Sequence, residues 1–229
     1  MLCIAHRGAS SEAPENTLAA IRRAIELGAP WVEVDVQACA DGLVVIHDET
    51  LERTTNGHGP VADQPLAALR ALDAGHGERI PLPREVLDLC RGRCGVNLEL
   101  KGPGVAPMLL PLLREALAGG WSTGALLCSS FDWGQLDALR TALPDLPLGV
   151  LCERVDAGAL ATAQRLHAPV IACALEHADA AAVRAAHAAG CALWVYTVNN
   201  PQDLARLAAL GVDAVFSDSP AAAPLQGHA

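Results

Sequence analysis

The sequence predicts a closed (β/α)8 barrel, a TIM barrel, formed by residues 1–229 as one domain. Two observations carry this. Short runs rich in Val, Ile and Leu begin near Ala125, Pro147, Pro169, Ala192 and Asp213, about 22 residues apart, which is room for one strand, one helix and two tight loops. Continuous apolar strands separated by helices make a parallel sheet covered on both faces, and with the upstream runs there are eight strands. An open, doubly wound sheet is the competing arrangement; eight strand–helix units in succession favour closure.

The first strand is Leu2 to His6 and its helix Asn16 to Leu27. The second strand, Trp31 to Gln37, leads to Asp41-Gly42, a hairpin-turn pair that returns the chain along Leu43 to Ile46 and ends at His47-Asp48. From about 48 to 83 the rhythm breaks at Gly57, Gly59, Gly75, Gly77 and several prolines, with Leu66 to Leu72 the one helical piece. This reads as an insertion between the second strand and its helix, Arg84 to Cys90. Such a loop either shapes a site at the top of the barrel or is a solvated excursion. The third strand, Gly95 to Lys101, precedes a helix over Ala106 to Ala118. The later helices are Asp132 to Leu143, Asp156 to His167, Asp179 to Ala189 and Pro201 to Leu210. They open on Asp or Pro, and most close near Gly or Pro. Little chain follows the last strand, so the final helix is expected to be short or missing.

Composition narrows the function. The chain is 52% apolar but has four Trp, two Phe and one Tyr, so Leu, Val, Ile and Ala must build the core. Its 26 acidic and 16 basic side chains give a net charge of −10. That excludes a nucleic-acid groove, which needs clustered cations, and stable docking on anionic membranes. A small anionic ligand requires local positive charge against this field. The eight cysteines show no paired zinc spacing and read as buried free thiols. With no signal peptide and no apolar run of about 18 residues, the cytoplasm is the expected location. Nothing in the sequence specifies an oligomeric state.

Residues two apart on a strand share a face, so Glu33 and Asp35 project together while their valine neighbours point away. Asn97, Glu99 and Lys101 repeat the pattern on the next parallel strand. Ionised carboxylates inside a buried sheet need a counter-charge. Three acids outnumber the one lysine, which favours a bound cation over an internal salt-bridge network. All-oxygen ligation suits Mg²⁺, Ca²⁺ or Mn²⁺, with zinc or iron on the histidines the lesser alternative. His6 and His47 each follow an apolar strand bordering the carboxylates, where they are available for proton transfer. Arg7 and Lys101 supply positive charge for an anionic substrate, and the Arg7-Gly8 turn can add backbone N–H donors. Glu15 and Asn16 divide between helix capping and a site role.

These residues stand in an ordered series of motifs: His6-Arg7-Gly8-Ala9, Pro14-Glu15-Asn16-Thr17-Leu18, Glu33-Val34-Asp35-Val36, Asp41-Gly42 leading to His47-Asp48, and Leu51-Glu52-Arg53-Thr54-Thr55-Asn56-Gly57. Leu98-Glu99-Leu100-Lys101, Ser130-Phe131-Asp132 and Thr197-Val198-Asn199 complete it. In this order they resemble the glycerophosphodiester phosphodiesterases over essentially the whole chain. The resemblance implies a barrel with an insertion after the second strand, and hydrolysis of glycerophosphodiesters to glycerol 3-phosphate and an alcohol; the negative surface narrows the expected substrate to a small, soluble diester. It implies one divalent cation, Mg²⁺ or Ca²⁺ with Mn²⁺ possible, on Glu33, Asp35 and Glu99. It further implies His6 and His47 as the acid/base pair, with Arg7 and Lys101 on phosphate. Phe131, Trp194 and Tyr196 are assigned to the substrate pocket, although Phe131 is equally compatible with the core. Tyr196 stands where the family usually has Trp, and Ser217-Asp218-Ser219-Pro220 replaces a more usual Thr-Asp-x-Pro; both departures are expected to lie clear of the catalytic set. Two other readings are a related barrel phosphodiesterase acting on lysophospholipids, phospholipase D-like, and a non-catalytic glycerophosphodiester-binding protein.

Overall fold

The structure, a computed structural model, describes residues 1–220. Eight parallel strands close into a ring: β1 (Leu2–His6), β2 (Trp31–Ala38), β4 (Gly95–Leu100), β5 (Leu126–Ser130), β6 (Leu148–Leu151), β7 (Val170–Ala174), β8 (Ala192–Tyr196) and β9 (Ala214–Ser217). β1 seals it by pairing with β2 on one side and with β9 on the other. The hairpin strand β3 (Leu43–Val45) lies antiparallel on β2, outside the ring. The barrel read from the strand spacing is therefore the fold, and the open sheet is not.

The helices sit where the start and stop signals place them: α1 (Leu18–Glu26), α2 (Leu66–Leu69), α3 (Pro83–Cys90), α4 (Val105–Ala118), α5 (Trp133–Ala142), α6 (Ala157–Arg165), α7 (Ala180–Ala188) and α8 (Pro201–Leu210). Asp132, Asp156 and Asp179 cap α5, α6 and α7 by accepting from backbone N–H groups of the first turn, each such cap contributing about 1 kcal/mol. Asn200 caps α8, with Pro201 at its first position. α1 begins later than expected because Thr17 is its cap, accepting from Ala20 N, while Asn16 has a left-handed φ of +57°. α2 stops at Leu69, after which Ala71 and Leu72 donate to carbonyls three residues back and tighten the chain into turns. The expected short or missing last helix lies outside the described residues.

The barrel interior is filled by Ile4, Leu127, Leu151, Val170, Ala172, Trp194, Ala214 and Phe216, with Trp31 packed against them. Trp194 stands edge-on to Trp31 at 6.1 Å and to Phe216 at 5.6 Å. Gly95 is required beside this column: a Cβ there would lie 2.5 Å from the Trp31 ring. The outward valines of β2 pack in the layer beneath the helices. A third cluster, including Val44, Ile46, Leu51, Val61, Leu69 and Ile80, joins the 48–83 segment to β3, so that segment is packed against the barrel rather than solvated. The cysteines are free, all buried except half-buried Cys94. No helix among the described residues is long and apolar enough to cross a membrane.

Candidate active site

Parallel register gathers the site on two neighbouring rungs. His6 pairs with Glu33 across β1 and β2, and Asp35 with Glu99 across β2 and β4. Glu33, Asp35 and Glu99 each offer an oxygen, all within 4.8 Å of one another. Glu33 and Asp35 are 1% exposed, and Glu33 Oε1 has no hydrogen-bond partner. Leaving a buried carboxylate oxygen unsatisfied is costly unless something else meets it. Burial, with Asp35 and Glu99 nearby, pushes Glu33 well above the usual carboxylate range. Burial, followed by Asp35, raises Glu99 too. Burial also opposes charge on Asp35, but Lys101, Arg7, His47 and Asn16 outweigh it and hold that carboxyl below its ordinary value. Hard oxygen donors with an orphaned atom and an internal conflict of charge fit a divalent cation.

Two cations already border the cluster. Lys101 Nζ lies against Glu99 Oε1 and 3.3 Å from Asp35 Oδ1; burial disfavours its charge, yet these carboxylates raise its pKa. Arg7 reaches Asp35 Oδ2 through Nε at 3.2 Å and Glu15 through Nη1 at 2.7 Å. Its own backbone N–H donates to Glu33 Oε2 at 3.0 Å, made possible by left-handed φ values at Arg7 and Gly8. A side chain at Gly8 would lie 2.6 Å from the Ala20 backbone, so only glycine fits this turn.

Each histidine is held by an aspartate at Nδ1. His6 Nδ1 is 2.7 Å from Asp218 Oδ1, and Asp218 is itself fixed by Ser10 Oγ and by Asn199 Nδ2 at 2.6 Å. His47 Nδ1 is 2.7 Å from Asp48 Oδ1, and Asp48 is gripped by Arg53. Such partners fix the ring and direct the remaining nitrogen to other work. The hydrogen bond to His6, more than any other group, lowers Asp218 to about 2. Burial lowers His47, only partly offset by Asp35 and Asp48.

His6, Arg7, Glu33, His47, Glu99 and Lys101 line one cavity of about 270 Å³ at the C-terminal ends of the strands. Phe131 and Tyr196 form its apolar wall, edge to face at 5.8 Å, with Lys101 Nζ 5.9 Å from the Phe131 ring. Phe131 is thus at the cavity, not in the core. Trp194 does not line it: it lies one rung below Tyr196 on the same strand face, 7% exposed within the interior column, and packs against Phe216, which does line the cavity. A larger cavity, about 560 Å³, opens between Trp31, Arg91, Arg93 and Trp121 but holds no carboxylate cluster or histidine.

Residues 6–222 match the Glycerophosphoryl diester phosphodiesterase family. The chain belongs to this family. It is 37% identical to a glycerophosphodiester phosphodiesterase of Caldanaerobacter subterraneus, covering 96% of this chain and 94% of that one. It is 32% identical to one from Bacillus subtilis, covering 96% and 84%. The fold is similar to an Oleispira antarctica phosphodiesterase in complex with the product sn-glycerol-3-phosphate, with a TM-score of 0.89 at 34% identity over 96% of this chain and 94% of that one. A glycerophosphodiester phosphodiesterase from Agrobacterium tumefaciens superposes with a TM-score of 0.83 at 31% identity, covering 97% and 98%.

Within this glycerophosphodiester phosphodiesterase site, four residues do more than the sequence indicated. Asp218 was expected to lie clear of the catalytic set and instead contacts His6. Asn16 donates to Asp35 Oδ2 at 2.8 Å and accepts from Asp35 N, while Glu15 holds Arg7 and Arg53; neither caps α1. Thr17, the better cap, stands directly after them and frees both for the site. Asn199 orders Asp218, a pairing between two loops with no local signature.

Proposed function

We propose that the chain hydrolyses small soluble glycerophosphodiesters to glycerol 3-phosphate and a free alcohol, with one divalent cation on Glu33, Asp35 and Glu99 and with His6 and His47 as the proton-transfer pair. The observation that carries this is the convergence, in one cavity, of two aspartate-held histidines with the carboxylate cluster, Arg7 and Lys101. We read residues 1–229 as one cytoplasmic barrel domain with 48–83 as its insertion.

In-line hydrolysis forms a bond from the attacking oxygen to phosphorus and breaks the bond to the alcohol oxygen. One histidine accepts the nucleophile's proton as the other gives a proton to the departing alkoxide, each such transfer contributing roughly 10² to 10⁴ in rate. Arg7, with Nη2 left over after its hydrogen bond to Glu15 and its ion-pair contact with Asp35, and Lys101 stabilise charge on the non-bridging oxygens. A bound Mg²⁺, Ca²⁺ or Mn²⁺ ion supplies Lewis-acid stabilisation of the phosphate. Phe131 and Tyr196 exclude water from one side of the cavity.

Release of glycerol 3-phosphate from a panel of glycerophosphodiesters tests the reading. Chelator is expected to abolish it and Mg²⁺ or Ca²⁺ to restore it. His6→Ala and His47→Ala are expected to remove turnover while cation binding, measured by calorimetry, persists. Full activity in chelator, or in either variant, refutes the mechanism.

A further inference from the structure

We propose that Arg53 is a positioning residue that locks the His47 end of the site to the Arg7 end; this rests on the proposed roles of His47 and Arg7. Its guanidinium meets two carboxylates at once. Nε donates to Asp48 Oδ2 at 2.5 Å and Nη2 to Asp48 Oδ1 at 2.9 Å. Nη1 donates to Glu15 Oε2 at 2.7 Å, and Nη2 also reaches Glu15 Oε1 at 2.9 Å. Asp48 in turn holds His47 Nδ1, and Glu15 holds Arg7 Nη1, each at 2.7 Å. Arg7 continues to Asp35. His47, Asp48, Arg53, Glu15, Arg7 and Asp35 thus form an unbroken line of contacts in which fixed charges alternate in sign.

The chemistry of the link requires arginine. Asp48 and Glu15 aim at different partners, and without a cation between them they would repel. Lysine would supply charge but cannot present two parallel donor pairs. Among the described residues, Asp48 has Arg53 as its one permanently charged partner, His47 being charged only when protonated. Arg53 is also presented on a fixed backbone. Leu51 is buried, and its carbonyl accepts from Thr55 N at 3.1 Å and from Thr55 Oγ1 at 2.7 Å, closing the turn that carries Arg53.

Exposed ion pairs add little to folding stability. Arg53 is 48% exposed, so its loss falls on geometry at the site, not on the fold. This separates it from a purely structural residue.

The test uses the full chain with Mg²⁺ present. Arg53→Ala is expected to lower kcat roughly ten- to hundred-fold, by analogy with the outer partners that orient metal-bound histidines. Its melting temperature and calorimetric Mg²⁺ affinity should match the parent's. Low concentrations of guanidinium ion should restore part of the turnover where equal NaCl does not, and Arg53→Lys should recover less than the parent. Combined with Asp48→Asn, the loss should be smaller than the product of the single losses. Unchanged kcat in Arg53→Ala, or a loss that guanidinium does not relieve and that multiplies with Asp48→Asn, overturns the proposal. NMR of the His47 ring provides a readout without turnover: the Nδ1–H signal should shift or broaden in Arg53→Ala, and an unchanged signal also overturns it. A parent inactive on every diester would refute the proposed function, while the ring signal would still decide the role of Arg53.

Discussion

His6 and Asp218 are 212 residues apart in the chain and 2.7 Å apart in the fold, Nδ1 to Oδ1. The aspartate favours the tautomer with the proton on Nδ1 and leaves Nε2 as the free ring nitrogen, the one assigned to proton transfer in the proposed function, and Ser10 and Asn199 keep the aspartate itself from turning. Asp218→Asn is expected to lower kcat roughly ten- to hundred-fold and to leave the calorimetric cation affinity unchanged. Its acid behaviour follows from linkage. A carboxyl lowered to about 2, mainly by the His6 bond, contributes stability above its unfolded value of about 4 and loses it as pH falls through the folded value. Urea titrations at stepped pH should show the parent's advantage over Asp218→Asn shrinking across that window; a constant difference would count against the linkage.

Glu33 has the opposite sign. Its raised pKa means that, in metal-free protein, its protonation stabilises the fold at low pH and this contribution disappears as pH rises through the folded value. A cation needs the ionised form, so Mg²⁺ or Ca²⁺ is expected to raise the melting temperature more near pH 8 than near pH 5. Glu33→Gln should melt higher than metal-free parent at neutral pH, by roughly 2–4 °C for each 1 kcal/mol of relieved repulsion, yet show no catalysis. Thermal melts with and without chelator check both statements, and a Glu33→Gln protein that melts lower at neutral pH contradicts the second.

Gly95 tests the barrel floor independently of the chemistry. A methyl there meets the Trp31 ring at 2.5 Å, and overpacking of this kind costs about 1–3 kcal/mol. Gly95→Ala should therefore unfold at lower denaturant while kcat and KM stay close to the parent's, because Gly95 and Trp31 pair one rung below Asn97 and Glu33 and neither lines the cavity.

What was legible in the sequence was short-range. Glu33 and Asp35 sit two apart, so the strand period alone puts them on one face, and the alternation of apolar strands with helices predicts parallel neighbours that bring Glu99 beside Asp35. Asp218, Asn16 and Arg53 were not legible in this way, because each reaches its partner from another loop and no periodicity relates the two. Trp194 shows the same limit from the other side: alternation gives its face correctly, but not its depth along the barrel axis, and depth decides whether an inward residue meets substrate or fills the interior.

The pairing of β1 with β9, Cys3 beside Val215 and Ile4 beside Phe216, has a consequence for biosynthesis. A nascent chain emerges N-terminus first, so His6 leaves the ribosome 212 residues before Asp218. Glu33, Asp35, Glu99 and the Arg53 linkage all precede β5, yet His6 gains its orienting partner only when β9 docks. A polypeptide stopped before β9 would therefore keep Glu33, Asp35 and Glu99 but leave His6 without Asp218, so the orientation of His6 depends on the docking of β9.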